Sequence, residues 1–183
     1  NFLTLSENRK RIKKNKNPKR FNNTESKLII KNLPFNLTNS QIDVINEINR
    51  DLLSNNRMFR IIQGDVGSGK TIVSLLSITN VLQSGYQCAF MSPTEILAKQ
   101  HYDLSNKIFQ NYNIKIDFLT GKTEYKERKN ILNNLENGNT KLLIGTHALF
   151  QKKINFKKLG LVIIDEQHKF GVKQRSDLAK KGG

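Results

Sequence analysis

Residues 64–71 constrain this chain more than any other stretch, because they fit the pattern G-x-x-x-x-G-K-[ST]. Residues 58–63, just before them, are apolar and β-branched enough for a buried strand, and residues 72–76 begin a helical apolar pattern. In this strand–loop–helix context, the backbone N–H groups of the loop and the positive end of the helix dipole attract phosphate oxygens. The sequence therefore predicts a phosphate-binding loop inside an α/β fold.

The pattern predicts that eight consecutive residues contact the nucleotide. They are Gly64, Asp65, Val66, Gly67, Ser68, Gly69, Lys70 and Thr71. The Lys70 ammonium is expected to reach the β- and γ-phosphates, and the Thr71 hydroxyl is expected to ligate Mg²⁺.

Strand-like and helix-like segments alternate along the rest of the chain. Strands are predicted over residues 58–63, 87–92, 114–119, 142–145 and 161–164, and helices over residues 39–54, 70–84, 95–109, 123–137 and 172–180. Such alternation predicts a mostly parallel sheet with helices on both faces.

Two adjacent carboxylates, Asp165 and Glu166, follow the apolar strand 161–164. Ligands bind at the carboxyl ends of strands in open α/β sheets. We expect Asp165 to hold Mg²⁺ through water, and Glu166 to accept a proton from the attacking water. Taken alone the pair would indicate a solvated turn, but the phosphate loop in the same chain favours the catalytic interpretation.

Gln41 has two interpretations. It lies three residues after Thr38, as in a capping box at the start of the predicted helix 39–54. Its amide also offers the donor and acceptor that an adenine ring needs. The sequence leaves both roles open.

Three more predicted strands end on small hydroxyl-bearing or glycine-containing segments. The candidate DNA contacts in them are Pro93, Thr94, Thr120, Gly121, Thr146 and His147. One such threonine would indicate only a helix cap, but three along one sheet edge indicate a track for a nucleic-acid backbone, with contacts independent of base sequence.

The remaining histidines and the cysteine receive weaker assignments. His168 follows the two carboxylates and is expected to report loss of the γ-phosphate to a neighbouring domain. His101 has no partner motif and is predicted to be a surface or packing residue. Cys88, the single cysteine, lies in an apolar run and is predicted to be a small buried hydrophobe.

Charge gives modest support for a polyanionic partner. The formal net charge is +16, and residues 1–31 hold ten Lys and Arg against two acidic residues. A basic surface attracts nucleic acid. Residues 1–16 are predicted to form a basic helix, with a solvated, poorly ordered segment as the alternative. The chain has no apolar run long enough to cross a membrane, and its single cysteine suits a reducing cytoplasm.

Taken together, the motifs resemble those of superfamily II DNA helicases, and more narrowly the bacterial RecG-type ATP-dependent DNA helicases. The segments that carry this resemblance are Leu37-Thr38-x-x-Gln41, the phosphate loop with Gln63, Pro93-Thr94-Glu95-Ile96-Leu97-Ala98, Leu119-Thr120-Gly121, Ile144-Gly145-Thr146-His147-Ala148-Leu149 and Asp165-Glu166-Gln167-His168-Lys169-Phe170-Gly171-Val172-x-Gln174-Arg175. Lys169 departs from the arginine frequent in that family, which keeps the charge but loses the planar fork.

The resemblance implies a monomeric motor that uses ATP and Mg²⁺ to move double-stranded DNA and to remodel stalled forks and Holliday junctions. It assigns residues 1–33 to a basic helical linker from a wedge domain, and residues 34–183 to the first RecA-like lobe. The wedge domain and a second lobe with its arginine finger would then lie outside this chain, so the 183 residues alone are expected to hydrolyse ATP very slowly.

Two alternatives stay open at this point. One is the motor lobe of another superfamily II translocase, such as a transcription-repair coupling factor. The other is a non-catalytic nucleotide-binding module that docks on DNA.

Overall fold

The computed structural model describes residues 4–6, 29, 31, 36–52, 58–63, 70–147 and 154–166; residues 4–6, 51–52, 58–63, 70 and 166 are described by their backbone only. The strands are β1 (Thr4–Ser6), β2 (Met58–Gln63), β3 (Gln87–Ser92), β4 (Lys115–Leu119), β5 (Thr140–Thr146) and β6 (Leu159–Glu166). The helices are α1 (Asn39–Leu52), α2 (Lys70–Gln83), α3 (Glu95–Ile108) and α4 (Tyr125–Asn137).

The strands form one sheet in the order β1-β2-β6-β3-β5-β4. The five strands from β2 to β6 are parallel, and β1 pairs antiparallel with β2. The predicted α/β fold with a mostly parallel sheet is confirmed. Since parallel strands share one direction, the carboxyl ends of β2, β6, β3, β5 and β4 meet at one edge, called here the carboxyl edge.

Both faces of the sheet are covered, as a parallel sheet requires. One apolar cluster joins α1, α2 and α3 to one face and includes Phe90 and Ile144. A second, smaller cluster joins α4 to the other face through Ile131, Leu135 and Leu143. Ile144 and Leu143 are neighbours in β5 and belong to different clusters, because successive strand residues point to opposite faces.

Helix α2 is the most deeply buried helix among the described residues, with residues 72–81 all buried. Three of its buried polar side chains form hydrogen bonds: Ser77 and Thr79 donate to carbonyls one turn earlier, and Asn80 donates to Asn49 of α1 at 2.7 Å. A fixed α2 gives the residue at its start, Thr71, a fixed position as well.

The predicted helix over residues 1–16 is wrong where the structure describes it. Residues 4–6 form β1, with Thr4 opposite Gln63 of β2. An unpaired strand edge presents a row of free N–H and C=O groups, and pairing with β1 satisfies that side of β2. The predicted helix over residues 172–180 lies outside the described residues. No helix in the described ranges is both long enough and apolar enough to span a membrane.

Candidate nucleotide and DNA site

Several of the candidate site residues that the structure describes lie at the carboxyl edge. In register, Gln63 of β2 lies opposite Glu166 of β6, and Ser92 of β3 lies opposite Thr146 of β5. Helix α2 begins at Lys70, after the residues that follow β2. The edge therefore brings the start of α2, the carboxylate pair and the hydroxyl-bearing segments to one side of the molecule.

The centre of this edge is a buried contact that links three elements through His101. The Nε2 atom of His101 in α3 lies 2.7 Å from Oδ2 of Asp165 at the end of β6. Its Nδ1 atom lies 3.4 Å from Oγ1 of Thr71 in the first turn of α2. Of the two alternatives predicted for His101, surface or packing, the structure shows a packing residue. The contacts of its ring with both predicted Mg²⁺ ligands were not foreseen.

The local sequence of α3 explains why His101 reaches this place. Ala98, His101 and Ser105 are the buried residues of the helix and recur at helical spacing, so they share its sheet-facing side. The imidazole packs edge-on against Phe90 of β3, with ring centroids 4.6 Å apart. Small Ala98 leaves room for α3 to approach the sheet.

The donor set fits Mg²⁺. This ion prefers hard oxygen ligands, and it is usually held by one or two carboxylates together with water and substrate phosphates. Asp165 supplies a carboxylate that is only 2% exposed, and Thr71 supplies a hydroxyl. No group of three or more His, Cys, Asp or Glu side chains suited to a metal occurs among the described residues.

Gln41 forms the predicted capping box. The backbone N–H of Thr38 donates to Oε1 of Gln41 at 2.8 Å, and the backbone N–H of Gln41 donates to Oγ1 of Thr38 at 3.2 Å. The capping role is confirmed. A contact of Gln41 with adenine remains a prediction.

The candidate DNA residues lie at the carboxyl ends of three neighbouring strands, β3, β5 and β4. Their side chains differ in exposure. Thr94 is exposed and caps α3 by accepting from the N–H of Leu97. Thr120 and Thr146 are buried, at 4% and 7% exposure. The Thr120 hydroxyl accepts from the backbone N–H of Lys122 at 3.2 Å. Pro93 is half-buried, Gly121 is exposed and His147 is half-buried. Their contact with DNA stays a prediction.

Several predicted site residues lie outside what the structure describes. The loop residues 64–69 and His168 belong to the undescribed ranges, and the side chains of Lys70 and Glu166 do so as well. Their roles stay predictions.

A mostly parallel α/β sheet with a hydroxyl at the start of a helix beside a buried strand-end carboxylate defines the class of nucleotide-binding α/β domains. The family model of the DEAD/DEAH box helicases matches residues 38–182. This chain belongs to the DEAD/DEAH box helicase family.

Similarity within that family is high to proteins named ATP-dependent DNA helicase RecG. The protein of Thermotoga maritima is 49% identical over 165 residues, which are 90% of this chain and 21% of that protein. The protein of Bacillus subtilis is 49% identical over 163 residues, which are 89% of this chain and 24% of that protein. The resemblance to RecG-type helicases is confirmed at the level of sequence.

Among solved structures, that of RecG bound to a three-way DNA junction is similar over 84% of this chain and 21% of that chain, with a TM-score of 0.76 and 47% identity. The chain thus spans between a fifth and a quarter of the relatives it matches. What the whole protein does is therefore taken up as a proposal.

Proposed function

We propose that this chain is the ATP-binding motor lobe of a DNA helicase or double-stranded DNA translocase that remodels branched DNA, such as stalled forks and Holliday junctions. The observation that carries the proposal is the contact of one buried imidazole with both Thr71 and Asp165. This contact joins the helix that follows residues 64–69 to the strand that ends on Asp165 and Glu166, and so supports the proposal. The similarity to RecG proteins, one of them solved on a three-way DNA junction, supports branched DNA as the partner.

Each residue has a role in nucleotide hydrolysis under this proposal. The loop residues 64–69 bind the phosphates through backbone N–H groups, and Lys70 contacts the β- and γ-phosphates. Thr71 and Asp165 would hold Mg²⁺, which would neutralise charge on the phosphates. Glu166 takes the proton of the attacking water, and Gln41 contacts the adenine ring. His168 senses the γ-phosphate.

The segments at the ends of β3, β4 and β5 would bind the DNA backbone. The exposed side chain of Thr94 and the backbone N–H groups at the start of α3 suit phosphate contacts. Such contacts are electrostatic and do not depend on the base sequence, so the affinity for DNA should fall steeply as the salt concentration rises. We further propose that residues 34–183 form the first RecA-like lobe, that residues 1–33 link it to a preceding domain, and that the whole protein works as a monomer.

The test is ATP hydrolysis by the full-length protein with and without forked DNA. We expect forked DNA to stimulate hydrolysis. We expect Lys70→Ala to lower the stimulated rate because it removes the contact with the β- and γ-phosphates. We expect Glu166→Gln to lower it by about 10²- to 10⁴-fold, the usual contribution of a positioned proton acceptor. Lys129→Ala and Glu136→Gln are the matched controls on the exposed surface of α4 and should leave the rate unchanged.

Fork remodelling assayed with the same variants separates the alternatives. If Lys70→Ala and Glu166→Gln both leave remodelling intact, the chain is a docking module and not a motor. If ATP is hydrolysed but branched DNA stimulates no more than linear duplex, the chain belongs to a different kind of translocase.

A further inference from the structure

We propose that His101 is a positioning residue of the ATPase site: it orients the Thr71 hydroxyl and the Asp165 carboxylate so that both can hold Mg²⁺ at once. The inference rests on the proposed function, because it concerns the same site. It assigns a role to a residue of α3 that lies outside the phosphate loop and outside the carboxylate motif.

The first support is geometric. His101 Nε2 is 2.7 Å from Asp165 Oδ2, a short hydrogen bond, while Nδ1 lies 3.4 Å from Thr71 Oγ1, near the limit for one. The three residues come from three different elements, with 30 and 64 positions between His101 and its two partners.

The second support is the direction of the two contacts. A carboxylate only accepts hydrogen bonds, so the hydrogen on Nε2 is donated to Asp165. The neutral tautomer with its hydrogen on Nε2 leaves Nδ1 as an acceptor for the Thr71 hydroxyl hydrogen. With that hydrogen turned towards the ring, the lone pairs of Thr71 Oγ1 are available to a cation.

The third support is burial. His101 and Asp165 are 5% and 2% exposed, and the ring is held edge-on against Phe90. Hydrogen-bond partners of metal ligands fix the orientation of those ligands, and their loss typically costs about 10- to 100-fold in metal affinity or activity. A ring this constrained can hold both oxygens in one arrangement.

Three substitutions separate positioning from packing. His101→Phe keeps an aromatic ring against Phe90 and removes both nitrogens. His101→Gln places an amide near the position of Nε2 and so keeps a donor for Asp165. His101→Asn places its amide near the position of Nδ1 and keeps only a partner for Thr71. Ser105→Ala, one turn along the same buried side of α3, is the control for a general disturbance of the helix.

The measurement is binding rather than turnover. The affinity of the full chain for a fluorescent, non-hydrolysable ATP analogue is determined in excess Mg²⁺ and in EDTA, and the ratio of the two dissociation constants gives the Mg²⁺-dependent gain. Mn²⁺ bound in the presence of the same analogue, followed by electron paramagnetic resonance, reports the metal directly. Circular dichroism and urea unfolding show whether each variant is folded.

We expect His101→Phe to reduce the Mg²⁺-dependent gain by about 10- to 100-fold, with affinity in EDTA within about twofold of the unsubstituted chain. His101→Gln should retain more of the gain than His101→Asn, because it keeps the short bond to Asp165. Ser105→Ala should leave the gain unchanged.

The inference is overturned if His101→Phe is folded and keeps the full Mg²⁺-dependent gain in affinity. It is also overturned if His101→Phe is unfolded and both His101→Gln and His101→Asn keep the full gain. Equal losses of affinity in Mg²⁺ and in EDTA would also overturn it, since they indicate packing alone. If the unsubstituted chain itself shows no gain from Mg²⁺, the proposed ATPase site fails instead, and the two failures are therefore distinguishable.

Discussion

Each end of β3 buries a polar side chain, but only the one at the amino end is hydrogen-bonded in the described structure. Gln87 at the amino end is 2% exposed, and its amide donates to the carbonyls of Leu135 and Thr140 at 2.9 and 2.7 Å. Its Oε1 accepts from the N–H of Lys158 at 2.8 Å. Ser92 at the carboxyl end is 0% exposed, and its hydroxyl has no hydrogen-bond partner in the described part of the structure.

The contrast separates polar groups that serve the fold from polar groups that serve a site. Buried polar atoms in native proteins nearly always have a hydrogen-bond partner, so one without a partner requires an explanation. Gln87 ties α4, β5 and β6 together at the amino edge, where no site is proposed. Ser92 stands at the edge where Thr71, Asp165 and the threonine segments gather. Local rules are most often broken at functional sites.

The largest effect on stability is expected at the amino edge. Gln87→Leu removes three hydrogen bonds and leaves the Thr140 carbonyl and the Lys158 N–H without that partner, which should cost about 3 kcal/mol of unfolding free energy. Urea denaturation measures it, and Gln100→Leu on the exposed side of α3 should cost less than about 0.5 kcal/mol. A loss no greater than the control's would show that the Gln87 contacts contribute nothing.

The next effect is on binding at the carboxyl edge. Asp165→Asn keeps the shape and an acceptor for His101 but removes the charge that holds Mg²⁺, so affinity for an ATP analogue in Mg²⁺ should fall about 100-fold, or about 2.7 kcal/mol. Unfolding free energy should change by less than about 1 kcal/mol, and affinity in EDTA should not fall. A stability loss like that of Gln87→Leu would mean that the two edges do not differ as proposed.

Gln41 is an intermediate case, because it caps α1 and is also proposed to contact adenine. Gln41→Glu keeps the oxygen that accepts from Thr38, so unfolding free energy should change by less than about 0.5 kcal/mol. It removes the amide donor that adenine would use, and the preference for ATP over GTP should fall about tenfold, or about 1.4 kcal/mol. Competition binding with the two nucleotides measures the preference; an unchanged preference would leave Gln41 with the cap alone.

The smallest effect is expected at Ser92. Ser92→Ala removes a buried hydroxyl that forms no hydrogen bond in the described structure. The unfolding free energy, measured by urea denaturation, should therefore stay the same or rise by less than about 1 kcal/mol. Ser77→Ala is the control, because the Ser77 hydroxyl is buried and donates a hydrogen bond to the carbonyl of Val73. If Ser92→Ala is the more destabilising of the two, the Ser92 hydroxyl serves the fold after all.

Local pattern was enough to predict most of the secondary structure. Strands β2 and β3 have the predicted bounds, and α1, α2 and α3 begin at the predicted residues. These elements are encoded by apolar periodicity, by the Thr38 cap and by the glycines that follow α2 and α4. Gly85 and Gly138 have positive φ, the backbone conformation that glycine favours at helix ends.

The errors fall where distant residues meet. β1 exists through pairing with β2, and Thr4 and Gln63 are far apart in the chain. The basic, weakly apolar stretch of residues 1–16 around it gave no sign of a strand. His101 is similar: its partners, Thr71 and Asp165, are reached only because α2, α3 and β6 pack together. The one local sign was its position on the same helical side as Ala98, which indicated burial but no partner.

The burial of Cys88 has a practical consequence. It is the single cysteine in the sequence, and its side chain is 0% exposed in the middle of the sheet. A thiol reagent can reach it only when the sheet opens, so its labelling rate reports opening of the core. Tyr125, at the start of α4, is 81% exposed, and Tyr125→Cys would offer a second thiol that reacts at once. A single dye can therefore be placed near the carboxyl edge without first removing a natural cysteine.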